Sequence, residues 1–144
     1  MKVSMKGDYG VRALVELAHH FGEGPVQSAV IASRQSIPEP YLDQLLTSLR
    51  RAGFIRSVRG PQGGHALIRD PRDLKLSEAI NALEGSLAPI GCLDDPGGCP
   101  KTSSCCLRLV WQEIEQATLR ILEGITIADL ADRERATSVA RYAI

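Results

Sequence analysis

The chain has 144 residues and a mass of 15.6 kDa, with seventeen Lys and Arg against seventeen Asp and Glu and 44% apolar residues. That balance excludes a disordered polyelectrolyte and supports one ordinary domain with a core, while an aromatic share of 4% makes the core aliphatic and excludes an extended base-stacking platform. No run approaches the ~20 apolar residues of a membrane span. The opening Met-Lys-Val-Ser-Met-Lys-Gly has no apolar signal core, so a cytoplasmic protein with no membrane partner is expected.

The charge is unevenly placed. Residues 1–75 hold eleven Lys or Arg against seven Asp or Glu, and residues 76–144 hold six against ten. Arg50, Arg51, Arg56 and Arg59 fall in one stretch without an acid. A basic front half joined to an acidic back half points to a polyanion-binding module with something attached.

In chain order, Val11, Leu14, Leu17, Ala18 and Phe21 recur at helical spacing and predict an amphipathic helix over 9–21, stopped by Gly22-Glu23-Gly24-Pro25. A short helix follows over 28–34, then a turn at Pro38. A third helix runs from about 39 to 52 with the stripe Leu42, Leu45, Leu46 and Leu49, and Gly53 just past its end. The period then changes to two. Residues 54–58 and 65–68 read as strands joined by Arg59-Gly60-Pro61-Gln62-Gly63-Gly64, a flexible and exposed hairpin tip. Three helices and a hairpin with a basic, Gly-rich tip make a winged helix-turn-helix.

Ser77 is the expected N-cap of a fourth helix that ends at Gly85. Residues 86–104 show no period and read as one long functional loop. From Cys105 to Glu123, the set Leu107, Val110, Trp111, Ile114, Ala117, Thr118 and Ile121 repeats at nearly seven-residue spacing. So narrow a stripe suits a helix pairing with its own copy in a homodimer, with Trp111 in the dimer core. A last short helix starts near Thr126, and the tail beyond Asp132 carries no pattern. The expected class is mainly α: a winged helix-turn-helix with a small β-hairpin wing, plus a long dimerisation helix. Its segments are a DNA-binding domain over 1–85, a functional loop over 86–104, a dimerisation helix over 105–125, and a C-terminal helix and tail over 126–144.

On that fold the third helix enters the major groove of double-stranded DNA. Glu39, Tyr41, Asp43 and Gln44 then lie near base edges, and Thr47, Arg51, Arg59, Gln62 and Gly63 near phosphates or the minor groove. Phosphate contacts supply most of the affinity and make it fall with salt. One such unit reads few base pairs, so specificity requires a dimer on a palindromic operator. Of the histidines, His19 and His20 read as a solvated helix end, and His65 as a wing residue near the DNA backbone. No nucleophile–base–acid set or phosphate loop is visible, so no enzymatic activity is expected.

All four cysteines, Cys92, Cys99, Cys105 and Cys106, fall within fifteen residues. In a cytosolic protein that clustering points to a metal site before a disulfide framework. Six residues separate Cys92 from Cys99 and five separate Cys99 from Cys105, unlike the two-residue knuckles of structural zinc. Wider spacing in a Gly-rich loop suits a larger object such as an iron–sulfur cluster, with structural zinc or plain reactive thiols as the alternatives.

The sequence resembles the IscR/NsrR/CymR-type (Rrf-two) family of bacterial transcription regulators over nearly its whole length. The resemblance rests on Met-Lys-Val-Ser-Met-Lys-Gly at the start, Tyr41-Leu-Asp-Gln-Leu-Leu46, the run from Leu49 to Gly60, Gly63-Gly64, Leu83-Glu-Gly85 and the three-cysteine loop. It implies a homodimeric winged-helix DNA-binding protein whose cluster controls promoter occupancy and senses redox state, nitric oxide or cluster supply. Cys92, Cys99 and Cys105 match the family's three loop ligands, and Cys106 is an extra thiol. The IscR-type branch takes a fourth ligand from a histidine three residues after the last cysteine. Arg108 stands there in this chain and cannot ligate. The NsrR-type branch uses an aspartate near the start of helix one, given by the partner subunit, and Asp8 stands at that position. The resemblance therefore favours a 4Fe–4S cluster, with 2Fe–2S next. The alternative is a cluster-free or zinc-binding winged-helix regulator acting through thiol chemistry or a protein partner, as the CymR branch suggests.

Overall fold

Ser4 decides where the first helix begins. Its Oγ accepts a hydrogen bond from the Gly7 amide at 3.2 Å, the bond that an N-cap supplies to an otherwise unpaired helix N–H. Helix α1 (Met5–His19) therefore starts four residues before the expected Tyr9, with Asp8 in its first turn. The computed structural model describes residues 2–142, with side chains to 138, so the outermost residues of the first and last expected segments lie outside the described ones. The Ser4 amide and hydroxyl also donate to Glu84 Oε1 at 2.8 and 2.6 Å, which ties the start of α1 to the end of α4 (Leu76–Glu84).

Helix α2 (Ser28–Gln35) ends at Ser36, the one described non-Gly residue with positive φ (54°), and the Ile37 amide returns to Ala32 O at 3.0 Å. That tight turn aims α3 (Glu39–Arg51), whose Leu42, Leu45, Leu46 and Leu49 are all no more than 2% exposed. The hairpin follows as expected: β1 (Ile55–Val58) pairs antiparallel with β2 (Gly64–Leu67), Ile55 opposite Leu67 and Val58 opposite Gly64. Its base is anchored to the segment before α2, where Val26 and His65 exchange both backbone bonds at 2.8 Å. The wing is thereby fixed to the helix-turn-helix.

Helix α5 (Arg108–Glu123) contains no buried residue. The chain then turns back, and α6 (Ile127–Tyr142) packs on α1. Thr126 starts it, as expected, by a reciprocal cap: its amide donates to Asp129 Oδ2 at 2.9 Å and its Oγ1 accepts from the Asp129 amide at 3.0 Å. The Thr126 amide first, and then the Thr126 hydroxyl, hold the Asp129 carboxyl below its usual range.

Three expectations are corrected. Ser77 is not the cap of α4. Lys75 is, because it bridges to Thr126 and the Leu76 amide donates to Ile125 O at 2.8 Å, which carries the chain into the helix two residues early. Phe21 is 43% exposed, because α1 ends at His19 and Phe21 falls off its period. The last helix is long, sixteen residues, and Ile127 (0% exposed) and Ala131 (2%) join the same aliphatic core as α1 and α3. No helix among the described residues is long and apolar enough to cross a membrane.

Candidate nucleic-acid interface and cysteine loop

The outer face of α3 and the wing present a mixed polar surface. Glu39, Asp43, Gln44, Arg51, Arg59 and Gln62 are exposed, as a groove-reading set requires. Three expected contacts are engaged elsewhere. Tyr41 is half-buried and meets Tyr9 edge to face, with ring centroids 5.6 Å apart. Thr47 Oγ1 donates to the Asp43 carbonyl at 3.0 Å within its own helix. Gly63 is buried in the hairpin turn, its amide bonded to Gly60 O at 2.9 Å, and a Cβ there would strike the Val58 carbonyl and the backbone of residues 59 and 60. Its role is to close the wing.

Sequence reasoning missed a polar chain that couples wing to helices. Arg50 Nη1 donates to Ser57 Oγ at 3.3 Å, Ser57 Oγ meets His65 Nδ1 at 2.8 Å, and His65 Nε2 meets Ser28 Oγ at 2.9 Å. His65 thus spans β2, β1 and the start of α2. Its pKa is lowered, chiefly by burial and then by the Arg50 cation, with Asp43 opposing. His19 and His20 are also not a solvated end. His19 Nε2 lies 2.8 Å from Glu134 Oε1, and His20 Nε2 lies 2.9 Å from Glu16 Oε2.

The cysteine loop is organised by two 3-10 turns, Gly91–Leu93 and Pro96–Gly98. Cys92 sits inside the first and Cys99 directly follows the second. Thr102 Oγ1 donates to Pro96 O at 2.7 Å and to Cys99 O at 3.0 Å. Arg108, where a ligand histidine would stand, instead donates from Nη1 to the Cys92 carbonyl at 3.1 Å. A cation at the head of α5 therefore pins the far end of the loop, which draws 92–105 into a hoop. Cys92, Cys99 and Cys105 are free and half-buried, whereas Cys106 is free and exposed.

Among the described residues, one group of three metal-ligating side chains has its donor atoms all within 4.8 Å of one another, and it contains no cysteine. The three loop sulfurs do not all lie within that distance of one another. Three soft thiolate donors are of the type that iron–sulfur clusters and zinc both take. Asp8 lies elsewhere in the chain, its Oδ2 paired with Arg12 Nη2 at 2.9 Å and its side chain 47% exposed.

The family model described as Rrf2, iron-dependent transcriptional regulator, matches residues 3–133. The chain belongs to the Rrf2 family. It is 38% identical over 130 residues to Protein rrf2 of Nitratidesulfovibrio vulgaris, an alignment covering 90% of this chain and 87% of that one. Among solved structures it is similar to T. potens IscR, with a TM-score of 0.76 and 45% identity over 94% of this chain and 90% of that one. It is also similar to CymR, described as the global cysteine regulator of B. subtilis, with a TM-score of 0.77 and 35% identity over 92% and 98%. This Rrf2 chain is a winged-helix, DNA-binding transcriptional regulator and not an enzyme.

Proposed function

We propose that this Rrf2 regulator is a homodimer whose hold on a palindromic operator depends on an iron–sulfur cluster, 4Fe–4S in preference to 2Fe–2S. Cys92, Cys99 and Cys105 of one subunit and Asp8 of the partner subunit would hold it. The observation that carries this reading is the hoop: three half-buried free thiols with the fourth outside, and the loop's far end clamped by Arg108. When bound, the cluster would supply a centre reactive toward redox change and nitric oxide, attached most weakly at its carboxylate.

The protein's own residues supply the coupling. Asp8 sits in the first turn of α1, and α1 packs on both helices of the helix-turn-helix. A change in what Asp8 binds therefore acts on the element that orients α3, a two-state arrangement biased by a ligand. Leu107, Val110, Ile114 and Ile121 are 51, 45, 40 and 64% exposed and supply a dimer face along α5. Two α3 helices about such an axis address half-sites about 34 Å apart, or a multiple of it. Glu39, Asp43 and Gln44 face base edges, and Arg51, Arg59 and Gln62 face the backbone.

Anaerobic purification with an absorption spectrum and an iron and sulfide count tests this. The expected product is coloured, contains acid-labile sulfide, loses it in Cys99→Ser and keeps it in Cys106→Ser. Colourless protein with one zinc per chain would overturn the cluster and leave the fold standing. The likeness to CymR favours a second reading, a cluster-free regulator acting through thiol chemistry or a protein partner, and iron-free material that still binds operator would select it.

A further inference from the structure

We propose that Glu16, His19 and Glu134 form a second metal site, built between α1 and α6 away from the cysteine loop, for a zinc-like divalent ion. Their donor atoms all lie within 4.8 Å of one another. Zinc held by imidazole and carboxylate at about 2.0–2.1 Å needs ligand atoms roughly 3.3 Å apart, so small side-chain adjustments suffice.

The sequence positions the set. Glu16 and His19 are three apart on α1 and share a face, the Glu-x-x-His spacing that helix bundles use to point two ligands at one ion. Glu134 arrives from α6, 115 residues from His19, with Nε2 and Oε1 already 2.8 Å apart. Glu16 is 2% exposed and, with Gln35, is one of two buried polar side chains among the described residues. A buried carboxylate is costly unless a cation or several donors meet it, and Glu16 is met by the Gln35 amide, the His20 ring and, at 3.9 Å, Arg34.

The surroundings are those of a ligand shell. Gln35, at the end of α2 and 7% exposed, donates from Nε2 to Glu16 Oε1 and to Glu134 Oε1, both at 3.1 Å, and so orients the two carboxylates toward each other. His20 Nε2 holds the other Glu16 oxygen at 2.9 Å. The cation facing the cluster does not block it. Arg34 Nε is 3.9 Å from Glu16 Oε2 on a side chain 64% exposed, free to swing out, and Arg135 is engaged with Asp132 at 2.8 Å. Two carboxylates and a neutral imidazole match a doubly charged ion, and the nitrogen ligand favours zinc-like ions over magnesium or calcium. Occupancy would pin α6, and through it the end of α5, to the helix that precedes the reading head.

Equilibrium dialysis of the full chain against Zn2+ tests the site, with Glu134→Gln and His19→Ala as variants on different helices and circular dichroism to verify folding. The full chain is expected to take up one more equivalent than either variant, with at least about tenfold weaker binding there in each. Co2+ used in place of Zn2+ should give d–d absorption at this site without thiolate-to-metal charge transfer. Equal uptake by wild type and by any folded variant, or loss of the extra equivalent only on cysteine replacement, would overturn the proposal. Saturation of the same site by Mg2+ at equal concentration would overturn the ion assignment.

Discussion

Helices α3 and α5 carry apolar residues at the same three- and four-residue spacing, yet their fates differ. In α3 the leucines at 42, 45, 46 and 49 are sealed against α1, α2 and β1. In α5 nothing is buried, and Leu109, Val110 and Ile121 are 73, 45 and 64% exposed. A hydrophobic stripe states that a face wants cover and does not state whose. The helix-turn-helix finds its cover inside the chain. Helix α5 leans on α4 and the cysteine loop by one side only.

The sharpest way to break that contrast is one truncation in each helix. Leu49→Ala, at 0% exposure, should lower the free energy of unfolding by about 2–5 kcal/mol at every protein concentration. Ile121→Ala should leave the urea midpoint unchanged in dilute protein and lower it only where the wild type self-associates. A concentration-independent loss in Ile121→Ala, equal to that in Leu49→Ala, would mean that α5 is covered by its own chain.

The same contrast explains what was legible beforehand. Elements α2, α3 and the hairpin were readable to within a residue or two because local signals agree: leucine stripe, Pro in the first turn, Gly53 at the end, period two after it. Helix α6 was half legible. Its Thr126–Asp129 cap is local, but among its described side chains only Ile127 and Ala131 are buried, too few to show a period, and α6 packs on α1. His19 looked solvated because Glu134 is 115 residues away and nothing in the local sequence announces it, whereas the partner of His20, Glu16, stands only four residues back in α1. In the loop, cysteine spacing indicated a wide metal site and Arg108 stood out as a departure from the histidine pattern. That Arg108 reaches back to the Cys92 carbonyl is a fact of the folded hoop.

A second comparison lies within the nucleic-acid interface, between the α3 surface and the wing. Gln44 is exposed on α3 and Arg59 is exposed at the wing tip. Gln44→Ala should cost about 1–3 kcal/mol on the cognate operator and little on unrelated DNA, because an amide reads base edges. Arg59→Ala should weaken both alike and reduce the slope of log affinity against log salt by about 1, because it neutralises a phosphate. Fluorescence anisotropy on the two duplexes across a salt series separates them. A cognate-specific loss at Arg59 would move the wing from positioning to sequence reading.

The smallest expected effect concerns the joint between those two surfaces. Neutral His65 offers one donor and one acceptor to the Ser57 and Ser28 hydroxyls, and so ties the wing to α2. Burial and the nearby Arg50 cation disfavour its protonated form in the fold, while the unfolded chain protonates it near pH 6.5. The unfolded state therefore binds the extra proton first. The stability contributed by keeping His65 neutral is complete above pH 6.5 and is lost as pH falls through the lower, folded value. Denaturation at pH 7.5 and 5.5 should show wild type losing more stability than His65→Gln, which has an amide donor and acceptor and no titrating group. Added salt should shrink the part due to Arg50 and leave the part due to burial. Equal losses in the two proteins would place the acid sensitivity of this joint in some other group.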